Sequence, residues 1–107
     1  MSKEEAQFLY LTTTGWMSGR PHDVEIWFVG HGGKFYLVSE HELRSHWVQN
    51  IRRQPLISFR VGQSKYKGKG REVDREKEAA LAQAVSALMN KKYGWSQGLI
   101  VELTPIQ

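Results

Sequence analysis

The chain has 107 residues and no cysteine, so one domain with one core is expected, and disulfide scaffolds, cysteine nucleophiles and thiolate metal sites are excluded. Apolar residues make up 40% and aromatics 11%, too many for a disordered chain, and no apolar run approaches the ~20 residues that span a bilayer. The formal net charge is +4, and the charged start Met1-Ser2-Lys3-Glu4-Glu5 lacks a signal-peptide core, which predicts a cytoplasmic protein.

Short strand-like runs dominate the first two thirds. Gln7 to Thr13 is aromatic, aliphatic and β-branched, which predicts a strand with much of both faces covered. Val24, Ile26 and Phe28 alternate with Glu25, Trp27 and Val29, a period of two. His31-Gly32-Gly33 then supplies a tight turn, and Lys34 to Ser39 returns as the third strand of a hairpin. Ser45 is placed to cap a short helix running to about Arg53, with Trp47 and Ile51 on one face, and Pro55 stops it. Leu56 to Val61 and Ser64 to Val73 follow as strands across a Gly62-Gln63 turn. Gly68 and Gly70 in the second of these predict a bulge or a close backbone approach. Asp74 is expected to cap a long helix reaching about Lys92, with Leu81, Val85 and Leu88 as its core stripe and Gly94 at its end. Leu99 to Leu103 is the last strand. Hairpins with a late helix are not a βαβ pattern. The reading is a mainly β, α+β chain: a six-stranded antiparallel split β-barrel with one short and one long flanking helix, in a single domain over residues 1–107.

No phosphate-loop or dinucleotide fingerprint occurs, and His41 and His46, five apart, do not form a helical ligand pair. Between Glu42 and Glu72 there are eight bases and no acid. Lys65, Lys67, Lys69 and Arg71 share one strand face, whereas Tyr66 points the other way, which argues against a stacking nucleic-acid platform. Two segments hold candidate chemistry. In Thr12 to Pro21, glycines and hydroxyls follow a strand, so the turn is either an anion nest, with Arg20 as a further donor, or a polar inter-strand loop. In Ser39 to Asn50, Arg44 can reach a phosphate, and Trp47 can cover a flat ring or fill the core.

Leu11-Thr12-Thr13-Thr14-Gly15, Ser18-Gly19-Arg20-Pro21, Glu25 to Val29, Tyr36 to Ser39, Trp47 with Asn50-Ile51-Arg52 and Pro55, and Phe59 with Val61-Gly62 occur in that order. Over residues 7 to 73 this resembles the deazaflavin-dependent nitroreductase family, within the split-barrel flavin-binding proteins related to pyridoxamine phosphate oxidase. The resemblance implies a homodimer and hydride transfer from reduced coenzyme F-420, or from FMN as the alternative cofactor, to a quinone, nitro compound or other conjugated acceptor. It implies that Thr14, Ser18, Gly19 and Arg20 line the phosphate end, that Ser39 lies near the ring or its linker, and that Trp47 and Asn50 shape the wall, with Arg44 as a further cation. Trp16-Met17 stand where the family typically carries two bases, and His22 where a base is also common. Each lost cationic contact is worth about 1.5–3 kcal/mol. That departure supports a second reading, a non-enzymatic barrel that binds a planar ligand such as FMN or haem.

Overall fold

The computed structural model describes residues 6–40 and 45–106. Six strands and two helices follow in the order β1 (Phe8–Thr14), β2 (Pro21–His31), β3 (Lys34–Ser39), α1 (His46–Arg53), β4 (Leu56–Val61), β5 (Ser64–Val73), α2 (Ala79–Tyr93) and β6 (Leu99–Ile106). The strands close a barrel in the order β1-β2-β3-β6-β5-β4, and every pairing is antiparallel. Closure by β1 against β4, with Leu9 opposite Val61 and Leu11 opposite Phe59, leaves no free sheet edge.

Alternation decides which side chains enter the barrel. Leu9, Leu11, Phe28, Leu37, Phe59, Val61, Val101 and Leu103 fill its interior. Tyr10, between Leu9 and Leu11, is exposed, so β1 covers one face fully where both were expected. The interior is sealed by α1, which contributes Trp47, Val48 and Ile51 to the same cluster. A second cluster lies outside the wall, where Val29, Tyr36, Val38, Val73 and Ile100 meet Ala82, Val85 and Met89 of α2. The chain thus has two apolar clusters back to back across one sheet, not the single core that its length suggested. A closed barrel makes this possible because both faces are covered along much of β3 and β6 and at Phe28 and Val29 of β2.

Two glycines set how closely the layers approach. At Gly68 a Cβ would lie 2.5 Å from the Thr104 carbonyl oxygen, and at Gly70 it would lie 3.1 Å from Ile51 of α1. The β5–β6 register runs without interruption from Lys67–Ile106 to Val73–Ile100. Close packing, rather than a bulge, is therefore the reason for glycine, and Gly70 is the seat of α1.

The termini of three elements differ from expectation. The helix α2 begins at Ala79, because the Asp74 carboxylate accepts the N–H groups of Glu76 and Lys77 and caps a separate turn. Its buried stripe is Ala82, Val85 and Met89, with Leu81 and Leu88 packed beside it. Gly94 ends it in the left-handed region, as expected. Strand β2 starts early, since Pro21, His22 and Asp23 pair with Thr14, Thr13 and Thr12. Strand β6 runs past Pro105 to Ile106.

On the outer wall, Glu102 is buried, accepts the Tyr36 hydroxyl at 2.8 Å and is bound by Arg71 at 2.9 Å. Arg71 also grips Glu78 at 2.7 Å, so one guanidinium ties β5, β6 and the turn before α2 together. Arg71 is thus committed within the protein, while Lys65, Lys67 and Lys69 point outward and Tyr66 packs inside against Phe59 and Phe35, as the alternation predicted.

Candidate functional site

A cleft of about 520 Å³ opens where β2 and the end of β3 meet α1. That is within the range of small-molecule sites. Three of the chain's four tryptophans, Trp27, Trp47 and Trp95, line it together with Phe8. Trp27 stacks on Tyr93 with ring centroids 4.4 Å apart and planes 6° from parallel, and meets Trp95 edge-on at 6.1 Å. The stack is held from behind. The Tyr93 hydroxyl accepts the Phe28 N–H at 3.0 Å and donates to the Gln7 carbonyl at 2.7 Å. Burial raises the Tyr93 pKa above its usual value, so this hydroxyl stays protonated and keeps donating. The aromatic wall is therefore formed before any ligand arrives.

Polar groups stand at the α1 end of the cleft. Ser39 is buried, and its hydroxyl lies 2.7 Å from that of Ser45. Ser45 precedes α1 in the extended conformation that suits an N-cap, yet its hydroxyl makes no capping bond. It is turned toward Ser39 instead, which corrects the expected side-chain cap. Glu25 supplies a carboxylate on the β2 side, facing Tyr10, whose pKa it raises by hydrogen bonding.

The other candidate residues sit at the far end of the β1–β2 hairpin. Phe8 pairs with Trp27 at the cleft, and Thr14 pairs with Pro21 at the loop. Six residues of strand separate the two places, about 20 Å. Within the loop, Gly15 N–H donates to the Arg20 carbonyl, Gly19 N–H to the Gly15 carbonyl, and Arg20 N–H to the Ser18 hydroxyl. Trp16 N–H donates to the Asn50 side-chain oxygen at 3.0 Å. Four backbone donors of the expected anion nest are thus spent inside the protein. The loop has the form of the alternative reading, a polar inter-strand connection, and it leaves Arg20 as its exposed cation. Thr14 lines a separate, smaller cleft of about 400 Å³ with Leu56, Lys67 and Ile106.

Asn50 links the two ends. It is buried on α1, accepts from Trp16 and donates to the Thr13 hydroxyl at 2.9 Å. Trp47, one turn earlier on α1, belongs both to the barrel interior and to the cleft wall. The structure thus brings Ser39 and Trp47 together in the cleft, places Thr14, Ser18, Gly19 and Arg20 apart from them, and uses Asn50 to fix α1 between. Arg44 lies outside the described residues.

Sequence reasoning missed Phe8, Glu25, Ile26, Trp27, Val38, Ser45 and Trp95 as cleft residues. One signal was present. Trp27 alternates with the barrel-facing residues of β2, so a large aromatic had to lie on the outer face. No periodicity placed Trp95, because it follows α2 in an irregular segment.

Residues 2–102 match the F-420H(2)-dependent quinone reductase family. No curated protein matches the chain significantly. Among solved structures, it is similar to the haem storage protein HutZ from Vibrio cholerae, with a TM-score of 0.79 and 20% identity over 98% of this chain and 85% of that one. It is also similar to an FAD-binding protein from Mesorhizobium loti, with a TM-score of 0.78 and 15% identity over 98% and 85%. A third likeness is to FDR-A, an F-420-H2 dependent reductase, with a TM-score of 0.63 and 24% identity over 91% and 93%. At these identities the structures share the barrel, while the family match spans nearly the whole chain. The chain belongs to the F-420H(2)-dependent quinone reductase family, a family of oxidoreductases.

Proposed function

We propose that the tryptophan-lined cleft holds the flat ring of a reduced deazaflavin, coenzyme F-420, and that the protein reduces a quinone, nitro compound or other conjugated acceptor stacked against it. The observation that carries this reading is the preformed aromatic wall of Trp27, Trp47 and Trp95 in a chain of this family. A deazaflavin held there by Trp27, Trp47, Ser39 and Ser45 would supply hydride chemistry to the acceptor.

The side chains do the rest. Trp27, fixed by Tyr93, and Trp47, fixed by the barrel interior, set the plane of the ring and exclude water from it. Ser39 and Ser45 offer hydroxyls to the ring edge or its linker. Arg20, with the hydroxyls of Thr14 and Ser18, holds the anionic tail. The span of about 20 Å between ring and loop favours a long cofactor side chain. FMN, with one terminal phosphate on a ribityl chain, is too short to use both ends, which places it second. A homodimer, as the resemblance implies, is the expected assembly and is read by light scattering.

The closed loop supports one competing reading, a barrel that binds a planar ligand without a phosphate tail, haem being the test case. Titration of the purified protein with F-420, FMN, FAD and haem, followed by tryptophan quenching and ligand absorbance, separates the two. Binding of F-420 ahead of FMN, followed by acceptor-dependent oxidation of F-420H2, is expected. No flavin or deazaflavin binding at high micromolar concentration, or haem binding ahead of both, overturns the proposal.

A further inference from the structure

Five large hydrophobic side chains are exposed among the described residues: Tyr10, Trp16, Met17, Leu56 and Ile106. Four of them gather at one end of the barrel. Trp16 and Met17, 45% and 82% exposed, form the tip of the loop between Thr14 and Pro21. Leu56 and Ile106, 53% and 42% exposed, line the smaller cleft that Thr14 and Pro21 also border. Exposed apolar side chains scattered singly are ordinary, but a cluster at one pole marks a contact surface.

Bases outnumber acids around this pole. Arg53 lies over the Trp16 ring at 5.3 Å. Lys69 pairs in register with Leu56, and Lys67 with Ile106, so three of the four exposed apolar residues have a base beside them. None of these three bases forms an ion pair among the described residues. The acid bordering this end, Asp23, is already engaged by the Thr12 hydroxyl at 2.6 Å.

We propose that this pole docks on an anionic lipid surface, with Trp16 and Met17 entering the headgroup layer and Arg53, Lys67 and Lys69 facing the lipid charge. Apolar side chains ringed by lysine and arginine are the pattern of interfacial binding, and tryptophan favours that depth because its ring is apolar and its N–H is polar. A second copy of the chain fits poorly, since it would set these bases against their own kind. The most exposed of these side chains, Met17, lies at a loop tip rather than in a shaped groove, which suits a fluid medium. The proposal goes beyond the cofactor reading and stands without it, because docking is measured with no cofactor present.

The full-length protein is sedimented with vesicles of equal parts phosphatidylglycerol and phosphatidylcholine, and with vesicles of phosphatidylcholine alone. Binding to the anionic vesicles, weakened by added salt, is expected. Met17→Ser combined with Leu56→Ser lowers that affinity by about tenfold or more, from the lost apolar burial. Lys67→Gln combined with Lys69→Gln lowers it by about fivefold per base and flattens the salt dependence. All four positions are exposed, so unchanged melting temperatures certify the fold. Four results overturn the proposal: no sedimentation with anionic vesicles, equal binding to both vesicle types, variants that bind as the parent does, or concentration-dependent self-association abolished by Met17→Ser with Leu56→Ser. The last result would assign the pole to a second copy.

Discussion

The two ends of the β1–β2 hairpin carry the same kinds of promise in sequence and meet opposite fates in the fold. At the Phe8–Trp27 end, aromatic side chains stand around an open cleft. At the Thr14–Pro21 end, the loop has closed on itself and on Asn50. The difference follows from what each end is made of. An aromatic wall needs no partner and can remain open, because its cost is some exposed apolar area. Backbone N–H groups need partners in every state of the protein, so a loop of donors finds them internally when no anion is present. Anion binding at the loop therefore falls to side chains, and ring binding at the cleft falls to the wall.

The largest expected effect tests whether the wall is separable from the barrel. Trp47→Ala removes a nearly buried aromatic that serves both. Urea unfolding should show a loss of about 3–5 kcal/mol, with ligand binding lost alongside. Trp27→Ala should behave differently. Trp27 packs outside the barrel interior on Tyr93, so its loss should leave most stability in place while weakening ring binding by about tenfold, the worth of one aromatic pair. Equal stability losses in the two variants would show that the cleft is a by-product of packing.

The second effect tests the link between the ends. Asn50→Ala strands the Trp16 N–H and the Thr13 hydroxyl inside the protein. Each stranded group costs about 1–3 kcal/mol, so a loss of about 2–6 kcal/mol is expected by chemical denaturation. Hydrogen exchange should then rise at Gly15 to Gly19 and not at Trp27. Uniform exchange would mean that the two ends are not independent.

How much of this was legible in the chain can be argued from these same residues. The bounds of β3, β4 and β5 follow directly from alternation and glycine turns, because such patterns are local. The barrel order follows from hairpins that have to hide their edges. Trp47 was readable as a residue with two possible roles, and the structure gives it both places. The self-closure of the loop was not readable, since it depends on Asn50, thirty-four residues away from Trp16. Trp95 was not readable because it follows α2 in an irregular segment, and α2 starts later than its pattern implied because Glu78 turns back to Asp74 and Arg71 instead of opening the helix. Local chemistry fixed the elements, and non-local hydrogen bonds fixed the site.

A third effect concerns the loop alone. Arg20 is exposed and, among the described residues, forms no ion pair, so Arg20→Ala should leave the melting temperature unchanged. If Arg20 holds the cofactor tail, affinity for F-420 falls by about 1.5–3 kcal/mol, roughly tenfold to a hundredfold. Haem affinity should not move. Unaltered F-420 affinity would leave the loop as a polar connection and confine ligand binding to the cleft.

The smallest effect probes neither end but the wall behind them. Arg71 bonds Glu78 so strongly that the Glu78 carboxyl titrates at about 2, against an ordinary value of 4.5, and the Glu102 carboxyl is also held below its usual range: burial pushes it up, but Arg71 and Tyr36 outweigh that. A carboxylate whose folded pKa is depressed stabilises the fold above its unfolded pKa, and that contribution fades as pH falls toward the folded value. Thermal melting should therefore be level above about pH 5 and decline between about pH 4.5 and 2. Glu78→Gln should flatten the lower part of that decline while leaving Trp27 and the cleft as they are. If acid instead perturbs tryptophan fluorescence before it lowers the melting temperature, the cleft is coupled to the ion cluster through α2. The separation of site from scaffold would then fail.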